Sequence, residues 1–436
     1  MANRKLTFLQ MFDLNFGFFG VQIAYALQSA NISRIFATLG ADPHQLSFFW
    51  ILPPLMGMIV QPLIGKWSDR TWCAMGRRKP YLLIGAIVAV LVMLLLPNAG
   101  NFGLSTAYVF LGLNAAMWFG LFSLIFLDTS INVAMQPFKM MVGDMVSEEQ
   151  KGTAYSIQSF LCNAGSLVGY LFPIFFTWIG IANTAPSGMI PASVKWSFYC
   201  GAAVLILCVL YTFLRVKEMP PKEYAEFHKT QPSDEEPASF LKCLVKAPRT
   251  FWTVSLVQFF CWAAFLLLWT YTNGAIASTC WHTSDVASAE YQAAGNWVGV
   301  LFAVEAVGAM LWALVIPRFS TLKRAYLVSL LLGAAGFASV YFISNQYLLF
   351  ISFLLIGVAW GAMLALPFTL VTNALRDHIG TYLGLFNCAI CLPQIVAAAS
   401  GGVILRCLGG SQAAMMLVAA AALLLAAAST SIIKEK

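Results

Sequence analysis

Charge is what this sequence has least of: Asp, Glu, Lys and Arg together make up 10% of its 436 residues, where a soluble domain carries about 25%. Hydrophobic residues fill 60% of the chain and the mean hydropathy is +0.78. They run in long blocks instead of the short alternating stretches of a soluble core, which excludes that class and points to burial in a bilayer. The opening MANRKLT is followed by no small-residue cleavage site, so the first apolar block is expected to stay as a span and not leave as a signal peptide. Also missing are a metal-protease helix motif, a nucleophile elbow, a phosphate-binding Gly loop and a soluble output domain. The four His, at 44, 228, 282 and 378, are far apart. A membrane-embedded enzyme or a sensor therefore has little to work with. Ten Cys are present, mostly inside apolar blocks. Without His or acidic neighbours they read as small packing residues, and no metal or other cofactor is expected.

A span needs about 20 mainly apolar residues. Twelve are expected, near 8–29, 45–65, 80–99, 107–133, 154–179, 195–214, 250–276, 294–316, 324–343, 347–372, 380–404 and 410–432. The one long polar stretch, 215–248, is rich in Pro and in charges of both signs, as a solvated linker is. The fold class expected is all-α integral membrane, with an N-terminal six-helix bundle at 1–214 and a C-terminal one at 249–436. A net charge of +7 would suit nucleic acid, but the basic residues sit in short loops between apolar blocks. Only Arg34, Lys195 and Arg406 fall on one side of the twelve spans; the other 22 of the 25 Lys and Arg fall on the opposite one. Cytoplasmic loops retain basic residues, so both termini are expected in the cytoplasm of a multi-pass plasma-membrane protein, with the bilayer and no nucleic acid as partner. The halves echo one another: Pro137 and Phe138 lead to Gly152 and Thr153, as Pro367 and Phe368 lead to Gly380 and Thr381. Both pairs lie on the fourth span of their half, as parallel repeats require.

An ionisable residue inside a span is a functional candidate by default. Asp128 stands in the apolar run FSLIFLDTSINVAMQPFK. At 100° per residue Asn132 is displaced from it by roughly 40° and Lys139 by roughly 20°, so the three share a helix face. Asp128 and Lys139 are roughly 16 Å apart along the axis, too far for a static ion pair. Burial favours the neutral form of a carboxyl and hydration its anion, so a carboxyl alternating between the two carries a proton. Glu305, in LFAVEAVGAMLW, is a second candidate. Asp13, near the start of span one, reads as structural. Between spans two and three, GKWSDRTWCAMGRRKPY places Gly65, Asp69, Arg70, Gly76, Arg77 and Arg78 in one short loop. Such a loop is topogenic at least, and Asp69 facing guanidinium groups suits an ion-pair latch. Gln22 and Gln28 on span one, Asn387 and Gln394 on span eleven, and Trp269 and Trp360 complete the candidates. Amides match sugar hydroxyls and aromatic rings stack on sugar faces, although membrane amides also bridge helices and Trp also anchors at interfaces.

The segments GVQIAYALQSANISRIFATLGADPH, FFWILPPLMGMIVQPLIGKWSDRTWCAMGRRKPY, LDTSINVAMQPFKMMVGD and GLFNCAICLPQI resemble the sucrose transporters of plants and their bacterial and animal relatives, in the glycoside cation-symporter branch of the major facilitator superfamily. The resemblance covers most of the N-terminal half and spans ten to eleven. It implies twelve helices, rocking-bundle alternating access and proton-coupled uptake of a disaccharide or related glycoside such as maltose or sucrose. It makes Asp128 the proton site and Lys139 the basic residue needed eleven positions later, where plant members carry Arg; the charge survives without the bidentate fork. Span seven departs from the plant pattern of two acids and an Arg, reading LLLWTYTNGAIA with Trp269, Tyr271 and Ala275 in those places, which leaves the sugar open. The expectation is a monomeric proton symporter for a small-molecule sugar, with sodium as the other possible coupling ion. The alternative is a facilitator or exporter of another small polar solute.

Overall fold

The computed structural model describes residues 5–103, 109–227, 244–375 and 379–434. Arg4, His228, His378, Lys436 and linker residues 228–243 lie outside them. The helices are α1 (Phe8–Thr38), α2 (Pro43–Phe49), α3 (Leu52–Arg70), α4 (Lys79–Leu95), α5 (Ala115–Met145), α6 (Glu148–Trp178), α7 (Ala192–Arg215), α8 (Pro221–Phe227), α9 (Arg249–Cys280), α10 (Ala289–Ala313), α11 (Leu322–Phe342), α12 (Leu349–Ala374), α13 (Ile379–Cys407) and α14 (Gln412–Ser429). Among the described residues, 11 helical segments are long and apolar enough to cross a membrane, with α2 and α3 counted as one. The 31-residue α1 is also long enough, and its Gln10, Asp13, Asn15, Gln22, Gln28, Asn31 and Arg34 lower its hydropathy. The protein is thus a multi-pass, all-α integral membrane protein. Its outer surface agrees with that: Ile84, Leu91, Leu207 and Leu214 point outwards, more than half exposed, which only a lipid environment favours.

By contacts the chain forms two compact units, Met1–Ile35 with Met56–Asp234, and Phe36–Leu55 with Glu235–Lys436. The segment Phe36–Leu55 thus groups with the second unit, whereas a split by chain order leaves it in the first. In the first unit α4 packs on α5 and α7, and α6 on α7. Backbones approach closely through small residues, the usual device of membrane helices: a Cβ on Gly165 of α6 would lie 2.3 Å from the Phe19 carbonyl oxygen of α1. In the second unit α9 packs on α13 and α14, α12 on α10 and α11, and α2 on α13. A Cβ on Gly357 of α12 would meet the Glu305 carbonyl oxygen of α10 at 2.1 Å, so glycine sets the depth at which Glu305 sits.

Three details differ from the sequence expectation. Span four does not begin near 107, because Val109–Phe110 and Leu113–Asn114 form a small antiparallel hairpin around Leu111 and Gly112, both at positive φ. The apolar run YVFLGL suits strand or helix equally, and Asn114, accepting from the Met117 N–H at 2.8 Å, starts the helix. α5 then runs through Pro137 to Met145. Its neighbours tolerate the backbone carbonyl that proline leaves free. Arg34 is not in a loop: it lies in α1, 1% exposed, donating Nη2 to Asn183 Oδ1 at 2.8 Å. The linker is not solvated from its start, since Val216 and Met219 are buried and α8 follows.

Candidate functional site

In the first unit α5 presents Asp128, which is 2% exposed. Its Oδ1 accepts from Gln28 Nε2 of α1 at 2.5 Å. Neither Asp128 Oδ2 nor Gln28 Oε1 has a partner among the described residues. One turn on, Asn132 donates Nδ2 to the Asp128 backbone carbonyl at 2.8 Å and accepts at Oδ1 from Gln61 Nε2 of α3 at 2.7 Å. The chain Gln28, Asp128, Asn132, Gln61 therefore joins α1, α5 and α3, with one ionisable member and three amides. Among the described residues Gln22 donates Nε2 to the Met135 sulfur at 3.8 Å. Lys139 is exposed. The described ion pairs join Lys5 to Glu149, and Arg77 and Arg78 to Asp69 and Asp144, and Lys139 is in none of them. Asp13 accepts from the Tyr211 hydroxyl at 2.7 Å, tying α1 to α7.

The loop between α3 and α4 is a second cluster of the same unit. Asp69 Oδ1 accepts from the guanidinium groups of both Arg77 and Arg78, the latter at 2.7 Å. Arg78, 2% exposed, also donates Nε to Asp144 Oδ2 at 2.7 Å and Nη1 to the Ser68 hydroxyl. The Glu218 carboxylate accepts the backbone N–H groups of Arg77, Arg78 and Lys79 at 2.7–3.0 Å, satisfying the otherwise unpaired donors that begin α4. Gly76 makes room for it: φ is +112°, and a Cβ would meet the Glu218 carboxyl carbon at 2.7 Å. The Arg77 guanidinium lies 5.4 Å from the Trp72 ring centre and 4.8 Å from that of Tyr224 on α8. Burial works against the Arg77 charge, but Tyr224, Asp144 and Asp69 outweigh it and hold the group above its ordinary range. Arg70 is exposed, and a Cβ on Gly65 would make only an ordinary 3.9 Å contact with Met140.

In the second unit Trp269 belongs to an aromatic nest. It stacks on Trp50 at 6.0 Å and meets Trp360 edge-on at 5.7 Å and Phe265 at 6.4 Å. One turn further along α9, Asn273 is 4% exposed, and neither of its amide atoms has a partner among the described residues. Glu305 is 6% exposed on α10. Gln394 turns its Nε2 onto the carbonyl of Ile390 on its own helix at 3.0 Å, and Asn387 is half-buried. Among the described residues no hydrogen bond joins Glu305, Asn387 and Gln394 to one another. Sequence reasoning missed Gln61, whose signal is an amide beside Pro62 in an apolar span, and Asn273, in the very run singled out on span seven. It also missed Glu218 and Asp144, acids outside apolar sequence, where charge is unremarked.

The Major Facilitator Superfamily model matches residues 14–398. The chain is 24% identical over 428 residues to sucrose transport protein SUT1 of Oryza sativa subsp. japonica, covering 87% of this chain and 79% of that one. It is 29% identical over 153 residues to proton-associated sugar transporter A of Homo sapiens, covering 35% and 20% of the two chains. A crystal structure of a variant of nucleoside transporter NupG superposes with a TM-score of 0.71 at 15% identity, over 98% of this chain and 99% of that one.

Proposed function

The chain belongs to the Major Facilitator Superfamily and is a transporter rather than an enzyme; on that premise we propose that it takes up a disaccharide or related glycoside, such as maltose or sucrose, together with a proton carried by Asp128. One observation carries the reading: a buried carboxyl whose only side-chain partner is an amide, with its second oxygen unpartnered among the described residues. Leaving a buried carboxylate without a cation costs several kcal/mol, and a bound proton removes the charge. The Gln28 amide fixes Oδ1, so the proton is taken and given up at Oδ2, and release regenerates the carboxylate when water reaches it. A proton suits the site better than sodium, because the hydrogen-bonded pair itself offers two unpartnered side-chain oxygens among the described residues, Asp128 Oδ2 and Gln28 Oε1. The amides of Gln28, Asn132 and Gln61, which donate and accept, supply groups for sugar hydroxyls. Lys139, on the same face of α5, stabilises the deprotonated state through longer-range attraction. The Trp269 nest and Asn273 offer a stacking surface and an amide for the sugar in the second unit, and the Asp69, Arg77 and Arg78 cluster acts as the latch of alternating access. Both termini face the cytoplasm of the plasma membrane, and the monomer is the working unit.

The kinship to SUT1 and to proton-associated sugar transporter A supports a sugar and a proton by their names. Reconstitution into liposomes with a panel of labelled disaccharides tests it. Uphill accumulation of at least one of them under an inward proton gradient, abolished by an ionophore and unaffected by sodium, is the expected result. Equilibration without accumulation would make the protein a facilitator instead.

A further inference from the structure

A cavity of about 420 Å³ lies where the end of α1, the start of α2, the end of α9, the start of α10 and the turn between α13 and α14 meet. Every residue that lines it belongs to the second unit. On the proposed sidedness these are the outer ends of their helices. α9 contributes Gly274 and Ser278, which stand roughly 140° and 180° round the helix from Trp269, so the cavity is separate from the aromatic nest. Its lining is neutral throughout, with polar groups set among apolar ones. Ser278 donates Oγ to the Ala275 carbonyl at 2.8 Å, which leaves the lone pairs of its oxygen. Ser411 Oγ accepts from the Ala414 N–H at 3.2 Å, which leaves its hydrogen. Gln412 lays its amide across Gly274: a Cβ there would lie 2.2 Å from Gln412 Oε1 and 2.3 Å from Nε2. Even so, Gln412 Oε1 is buried without a partner among the described residues. Two standing costs meet at this one contact. A glycine inside a helix costs about 0.5–1 kcal/mol against alanine, and an unsatisfied buried amide oxygen about 1–3 kcal/mol. Packing alone would be better met by alanine against an apolar side chain.

We propose that this cavity binds one neutral hexopyranose ring, either a free hexose or the end ring of a longer glycoside. A neutral lining disfavours an ionic ligand, because an enclosed ion needs a counter-charge. A primary amide donates and accepts, so Gln412, turned from Gly274, holds two neighbouring ring hydroxyls, one at each of its polar atoms. Ser278 accepts from a further hydroxyl and Ser411 donates to one. The volume lies low in the range of small-molecule sites, roughly 300–1,000 Å³, which suits one ring with its waters and not an oligosaccharide. The proposed transport of a sugar bears on this site only through the choice of probes: the ring is held outside the nest and need not be carried.

Thermal unfolding and equilibrium binding of the full chain in lipid nanodiscs test the site; a maltoside detergent is avoided because its headgroup is itself a sugar. Glucose should raise Tm if a free ring suffices, and maltose alone if the ring must belong to a glycoside, whereas cationic glucosamine and anionic glucuronate should not. Gln412→Leu should raise the Tm of the sugar-free protein, which shows that it folds, and should weaken sugar binding on the order of tenfold. Gly274→Ala, whose Cβ displaces the amide, is a second route to the same loss. No shift with either neutral sugar, an equal shift with the charged analogues or with sodium chloride alone, or undiminished binding in Gln412→Leu would each overturn the site. Binding kept in Gln412→Leu but lost in Asn273→Leu would place the sugar in the nest alone. Uptake failing in liposomes while glucose or maltose still binds through Gln412 would sink the transport reading and leave this site standing.

Discussion

Gln28 on α1 holds Asp128 on α5 by a single hydrogen bond at 2.5 Å, and the remaining oxygen of each side chain is buried without a partner. The pair is therefore fixed at one end and open at the other. Replacing Gln28 alone removes the donor and strands a polar group, which costs about 1–3 kcal/mol, whereas replacing both members by apolar residues of similar shape is close to neutral. Thermal unfolding should show Gln28→Leu destabilised by that amount and the Gln28→Leu/Asp128→Leu double variant restored towards wild type. If the double variant is the sum of two large losses, the pair is not an isolated unit.

Asn273 has the opposite signature. Both of its amide atoms lie buried without partners among the described residues, a standing cost of about 1–3 kcal/mol for each. Asn273→Leu should raise Tm while raising the sugar KM, the trade expected when a polar group is kept for a ligand. A gain in stability with unchanged KM would remove Asn273 from the substrate site.

In the α3–α4 loop the burdens are unequal. Arg78 is buried against Asp69, Asp144 and Ser68, so Arg78→Ala removes a charged donor shared by three acceptors, strips Asp144 of its cation and should cost about 1.5–3 kcal/mol. Arg78→Lys should recover only part of it, because an ammonium cannot reproduce the fork. Glu218→Ala should cost less than Arg78→Ala, and Asp69→Asn, whose side chain is 48% exposed, least of all. Unfolding temperatures in that order support a network centred on Arg78; Asp69→Asn as the worst variant would move the centre to the acid.

Much of this was legible in the sequence and some was not, for reasons that can be assigned. Long apolar blocks identify spans because a bilayer imposes their length, and Asp128 stands out because acids are rare in them. The start of α5 was obscured because six apolar residues do not distinguish a strand from a helix until the turn at Leu111 and Gly112 is seen. Glu218 was hidden differently: it lies 139 positions from Lys79, whose N–H it accepts, and nothing local in a Pro-rich charged linker marks a carboxylate as the cap of a distant helix. Gln61 was passed over since one amide in an apolar span commonly bridges helices, which it also does here through Asn132. Arg34 falls beyond the expected end of span one near residue 29, because a window of about 20 residues sets a span's length, yet α1 continues to Thr38 and Asn183 meets the guanidinium there.

The proposed proton role of Asp128 is tested most directly by reconstituting Asp128→Asn in liposomes and comparing two modes of transport of the same sugar. The amide keeps the shape and the hydrogen-bonding capacity of a protonated carboxyl but cannot release a proton. Sugar counterflow, which needs no proton movement, should persist, while accumulation driven by an inward proton gradient should fall to simple equilibration. Gradient-driven accumulation equal to that of the wild type would contradict the account.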